Sequence, residues 1–243
     1  MNLDVLAIGA HPDDCEMFMG GSLLAFKARG LAVGVCDLTR GEKSTYGDVP
    51  TRLAERDRAT RLLALDARTT LALPDGGLAN LPEQRLAVIQ ALRELRPRLV
   101  FTFAFETRHP DHRACAEIVR DACFFSGLEK LPTPGQEPHR PEALLHFMEH
   151  TLLEKPDFCV DISAHWEAKV RLIEAYESQV LPKGTRDDAT KTFIRSEDFW
   201  RVTEARAALT GNLIGVAYAE GFLGGPPPRL ADPLAALACP RTP

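Results

Sequence analysis

The stretch Leu3-Asp4-Val5-Leu6-Ala7-Ile8-Gly9-Ala10-His11-Pro12-Asp13-Asp14 is an apolar run that ends abruptly in a histidine, a proline and two aspartates. A run this short, with too few polar positions for one face to meet water, reads as a strand buried inside a parallel sheet. The pattern returns further on, where Leu99-Val100-Phe101-Thr102-Phe103-Ala104-Phe105 leads to His109-Pro110-Asp111-His112. Both polar clusters therefore fall at strand C-terminal ends, where open α/β sheets bind their ligands. Together they read as one metal-dependent active site.

The rest of the chain extends the alternation. Helices are expected at 16–29, stopped by Gly30, at 51–65, at 82–95 with Pro82 at its start, and from 111 to 124 or 125. Strands are expected at 32–38 and 69–73, then at 143–148 and 158–162, with helices at 165–180 and 197–209 and a last short strand at 215–219. Strands and helices alternating at this spacing predict an α/β fold, a Rossmann-like and mostly parallel sheet flanked by helices. We expect one domain over 1–223 and a proline-rich surface arm over 224–243. The long polar loops 40–50, 130–141 and 181–190 are expected to build pockets.

Composition narrows the function. A net charge of -5 without a Lys/Arg block gives no footprint for nucleic acid. No stretch approaches the roughly 18 apolar residues of a membrane helix, and no signal segment is evident, so a cytoplasmic protein without a membrane partner is expected. The six cysteines form no Cys-x-x-Cys pair and are expected to be reduced core residues. Cys15 follows Asp14 directly, but His11 and Asp14 reach a common metal more easily, so Cys15 is also read as core.

Catalytic zinc takes three imidazole or carboxylate ligands and keeps a fourth position open. His11, Asp14 and His112 supply that set for one Zn2+ per subunit, and Fe2+ or Co2+ suit the same donors. Each proline pushes the histidine before it out of helical geometry and helps to aim it. Asp13 is left uncoordinated beside the metal, placed to take a proton from the attacking water. His109, three residues from His112, should face the same pocket and stabilise an oxyanion or donate a proton. Asp111 is expected to hold and charge that imidazole. A lone His-Pro-Asp is usually a turn. Two copies, each after a strand and together holding a full ligand set, outweigh that reading.

Ala10 to Asp14 and His109 to His112 also resemble the two hallmark motifs of the LmbE-like, or PIG-L, zinc N-deacetylases. Further segments, among them Leu73-Pro74-Asp75-Gly76-Gly77-Leu78 and Tyr218-Ala219-Glu220-Gly221-Phe222, look like the branch that deacetylates N-acetylglucosaminyl malate in bacillithiol biosynthesis. The resemblance implies a hydrolase that removes acetyl from an N-acetylglucosamine conjugate, with the roles given above. It also implies sugar contacts by Arg52 and Arg140 and a homo-oligomer, commonly a hexamer. A malate conjugate needs cationic partners, for which Arg40, Lys43, Arg52 and Arg140 are candidates. The alternatives are a deacetylase or amidase for other N-acetylglucosamine or sugar-thiol conjugates, and a non-catalytic sugar- or nucleotide-binding module. Against the last stand the spare Asp13 and the absence of a Gly-x-Gly-x-x-Gly turn after the first strand. One departure is a tyrosine that family members often carry before the last long helix; here Phe193 and Phe199 occupy that region.

Overall fold

Seven strands form a single sheet in the computed structural model, which describes residues 1–149, 154–187, 189 and 191–225. They are β1 (Val5–Gly9), β2 (Val33–Asp37), β3 (Ala67–Thr70), β4 (Leu99–Phe103), β5 (Ala143–Phe147), β6 (Phe158–Asp161) and β7 (Ala219–Gly224). The helices are α1 (Asp14–Ala28), α2 (Val49–Leu63), α3 (Pro82–Leu95), α4 (Pro110–Phe125), α5 (Trp166–Glu174) and α6 (Glu197–Ile214). Strand order is β3-β2-β1-β4-β5-β7-β6. The first five run parallel, and β7 is antiparallel to both β5 and β6. The α/β class expected from the alternation is therefore the one observed.

Pairing of Val5 with both Val33 and Leu99 puts β1 at the centre of the five parallel strands, with β2 and β4 on either side. The chain leaves β1 toward β3 and then returns past it to β4, so the connections diverge above the carboxyl ends of β1 and β4. That divergence opens the crevice in which such sheets bind ligands. β1 and β2 are buried throughout, as a central parallel strand requires. A second apolar cluster, with Ile162, Trp166, Phe199 and Trp200, packs α5 and α6 under β6 and β7. Among the described residues no helix is long and apolar enough to cross a membrane.

The structure moves several expected boundaries. β3 ends at Thr70, earlier than 73, because Ala72 turns to φ 55. α5 stops at Glu174 instead of reaching 180, because Glu55 takes the Ser178 amide and hydroxyl at 2.6 and 2.8 Å. α6 runs on to Ile214, and Gly215 closes it at φ 74 while Val216 N–H returns to Gly211 O. Residues 215–218 are thus taken up by that turn, and the last strand begins only at Ala219. The expected arm over 224–243 lies, beyond Gly225, outside the described residues, as does Cys239. Cys15 is buried in the core, and burial raises its thiol pKa well above the ordinary value.

Gly211 lets this turn fold back onto the helix: a Cβ there would lie 2.6 Å from Val216 O and 2.9 Å from the Ala217 backbone. Backbone cannot swing aside as a side-chain tip can. Gly211→Ala should therefore lower unfolding free energy by about 1–3 kcal/mol, the usual cost of overpacking, as read by urea denaturation.

Candidate active site

Directly after β1, Asp13 adopts φ 138, a region that L-residues rarely occupy and that is held only where surrounding contacts impose it. The turn starts α1 at Asp14, two residues before the expected Glu16, and Asp14 Oδ2 accepts the His11 amide at 2.7 Å. Two adjacent carboxylates are thereby sent apart. Asp14 faces histidines, with Oδ2 3.5 Å from His11 Nδ1 and Oδ1 3.3 Å from His112 Nε2. Asp13 faces Arg52, whose Nη1 lies 3.0 Å from Asp13 Oδ2.

Arg52 is 1% exposed and also donates through Nη2 to Pro12 O, so its fork spans the Pro12-Asp13 peptide that carries the strained turn. It stands over the Tyr176 ring, 5.6 Å from the centroid. On its other side Gly41, at φ 69, leaves room that a Cβ would take, 3.1 Å from Arg52 Nε. Burial pushes the Asp13 carboxyl up to about 6 against the opposing pull of Arg52.

His109 and His112 enter on the N-terminus of α4. His112 stacks on Phe103 with centroids 3.9 Å apart, and its Nδ1 is 2.6 Å from Glu149 Oε1 just beyond β5. His11 Nε2 is similarly backed by Asp75 Oδ1 at 3.2 Å and Asp111 Oδ2 at 3.3 Å. His109 caps α4, its Nδ1 accepting the Asp111 amide at 3.2 Å. That bond leaves the proton of a neutral ring on Nε2. Burial and the nearby His112 and His11 lower the His109 pKa, favouring this neutral form.

Asp111 meets His109 through its backbone amide, and although its charge favours the protonated ring, its carboxylate hydrogen-bonds elsewhere. Its carboxylate accepts the Gly76 amide at 2.7 Å and faces His11, because the loop after β3 closes over it. Of the arginines expected to touch substrate, only Arg52 lines the cavity over these groups. Arg52 is engaged with Asp13. Arg140 precedes β5, at the opposite end of the sheet, where it donates to Phe124 O at 2.9 Å and covers the Phe124 ring. Arg40 is exposed and outside the cavity lining. Sequence reading missed Asp75 and Glu149 as supports. The signal for Glu149 was positional, since it lies two residues past a parallel strand, on the same edge as both His-Pro-Asp clusters.

A cavity of about 320 Å³ opens over these groups, with Met17, Phe18, Phe193 and Ile194 as apolar wall and Lys43 and Arg108 as cations. Phe193, one of the two phenylalanines noted before the last long helix, thus lines it. Two donor groups converge at its floor, His11-Asp14-His112 and His11-His109-Asp111, each with ligand atoms within 4.8 Å of one another. The surroundings fit a cation: Asp13, Asp14, Asp75, Asp111 and Glu149 gather here, and Arg52 is the buried cation among them. Burial works against charging His11 and His112, yet the carboxylates raise both pKa values. The first group fits better, because each of its histidines keeps its other nitrogen on a carboxylate, the arrangement that orients metal-bound imidazoles. Glu149→Gln should weaken Zn2+ affinity about 10- to 100-fold in a competition titration, with the fold retained.

Comparison with known proteins agrees with this geometry. Residues 6–123 match the family described as PIG-L, GlcNAc-PI de-N-acetylase. The conserved protein TT1542 of Thermus thermophilus is 40% identical and superposes with a TM-score of 0.84, the match covering 95% of this chain and 98% of that one. Diacetylchitobiose deacetylase of Thermococcus kodakarensis is 29% identical over 90% of this chain and 81% of its own length. A probable N-acetyl-alpha-D-glucosaminyl L-malate deacetylase 2 of Bacillus anthracis is 28% identical over 81% and 93%.

Proposed function

The chain belongs to the PIG-L/LmbE family of N-deacetylases, and from that premise we propose that it hydrolyses the acetamide of N-acetylglucosaminyl malate with one zinc ion per subunit. The observation that carries the chemistry is Asp13, a buried carboxylate that is free of the donor group yet lines the same cavity. His11, Asp14 and His112 would hold the ion, which when bound supplies a Lewis acid for the acetamide carbonyl and lowers the pKa of water.

Asp13 takes the proton from the attacking water as its oxygen adds to the acetamide carbon. His109 donates its Nε2 hydrogen to the oxygen that gains charge. The carbon–nitrogen bond then breaks, Asp13 returns the proton to the departing nitrogen, and acetate and a free amine leave. Arg52 holds Asp13 in place and Asp111 holds His11, so both position other groups and neither contacts the acetamide.

Support for a malate conjugate comes from Lys43 and Arg108, which line the cavity and make no ion pair among the described residues. The relative named for malate agrees, and the one named for diacetylchitobiose supports a second reading, a neutral chitin-type substrate. The proposal includes a cytoplasmic location and a homo-oligomer.

Amine release from N-acetylglucosaminyl malate, diacetylchitobiose and N-acetylglucosamine decides among these. The malate conjugate should give the highest kcat/KM, and chelation should abolish turnover. A preference for diacetylchitobiose would select the second reading, and no turnover on any of the three would reject both. Asp13→Asn should lower kcat by about 10²- to 10⁴-fold, and His109→Ala by about 10²- to 10³-fold. Either variant turning over near the wild-type rate would reject its assigned role.

A further inference from the structure

Helix α1 is broken one turn after the site. Met19 has φ -142 and ψ 19, so the ladder of backbone bonds is interrupted there. In an unbroken helix the Gly21 and Ser22 amides would bond to the carbonyls of Met17 and Phe18. Instead they donate to one side chain from across the fold, Gly21 N–H to Glu220 Oε1 at 3.0 Å and Ser22 N–H to Glu220 Oε2 at 2.7 Å. Glu220 lies on β7 and is neutralised by Lys169 Nζ of α5 at 2.5 Å, both residues being buried. A side chain inserted into the ladder is a recognised cause of a sharp helix kink.

What the kink orients is the segment Asp14 to Phe18. It carries the carboxylate between His11 and His112, and it carries Phe18, whose ring lies edge-on to His112 at 6.2 Å and stacks on Phe147 at 5.8 Å. Beyond the kink, α1 is fixed independently: a Cβ on Gly21 would meet Ile162 side-chain atoms at 2.7 to 2.9 Å. The angle between the two segments therefore decides where Asp14 and Phe18 meet His112, and Glu220 sets that angle.

We propose that Glu220 and Lys169 are positioning residues for the metal site, holding the kink that sets Asp14 and Phe18 against His112. Neither residue touches the donors themselves. The inference rests on the metal-site reading given above.

Glu220→Asp keeps the charge and the Lys169 pair but shortens the reach to the two amides by one methylene. The double variant Lys169→Met/Glu220→Gln removes the buried charges together and keeps one carbonyl acceptor. Zn2+ affinity by calorimetry and the visible spectrum of the Co2+-loaded protein are measured well below each variant's Tm. The wild type should bind one Zn2+ per chain, and both folded variants should bind at least about tenfold more weakly, with an altered Co2+ spectrum. Lowered Tm with unchanged Zn2+ affinity and Co2+ spectrum in either folded variant would overturn the inference and leave the pair a purely structural cap. Absence of Zn2+ binding by the wild type would instead overturn the metal-site reading beneath it.

Discussion

Asp13 and Asp14 are neighbours in sequence and both are buried, an arrangement that like charges and lost hydration make costly unless each carboxylate has its own partner. The backbone at Asp13 supplies the solution by turning through φ 138, which sends one side chain to Arg52 and the other to two histidines. Everything nearby serves that separation. Arg52 bridges the strained peptide, Gly41 and Tyr176 enclose the guanidinium, and Tyr176 donates its hydroxyl hydrogen to Glu16 on α1. In the proposed mechanism the same separation leaves one carboxylate to bind the ion and the other to move a proton.

Topology explains why so few residues suffice. Parallel strands all deliver their carboxyl ends to one edge, and the divergence of the connections after β1 and β4 leaves a gap between the two His-Pro-Asp clusters. The loop after β3 brings Asp75 to the same edge, and β5 brings Glu149. The histidines are therefore fixed from behind by carboxylates from separate segments, Asp75 after β3, Asp111 on α4 and Glu149 after β5, before any ligand arrives. The consequence is a surplus of negative charge at the floor of the cavity, which a divalent cation relieves.

The sheet and the convergence of His11, Asp14 and His112 were legible in the sequence because both are local signals: apolar runs of strand length, and polar clusters at their ends. Contacts between distant segments were not. Nothing near Asp111 indicates that the loop after β3 supplies the Gly76 amide to its carboxylate, or that His109 is left with a backbone donor. That Arg52, expected at the substrate cavity and found in its lining, also pairs with Asp13 is likewise a contact that its local sequence does not encode. The kink at Met19 depends on Glu220, which is some two hundred positions away. Helix ends shifted for a related reason, since Gly215 and Glu55 compete with continued helix through contacts that periodicity does not encode.

The central claim is that His11, Asp14 and His112 form the metal centre while Asp13 stays free beside it. A crystal structure of the Zn2+-loaded protein, with anomalous data on both sides of the zinc edge, tests this most directly. The account predicts one ion per chain bonded to one nitrogen of each histidine and an oxygen of Asp14, with Asp13 still on Arg52. An ion on His11, His109 and Asp111, or one bonded to Asp13, would contradict it.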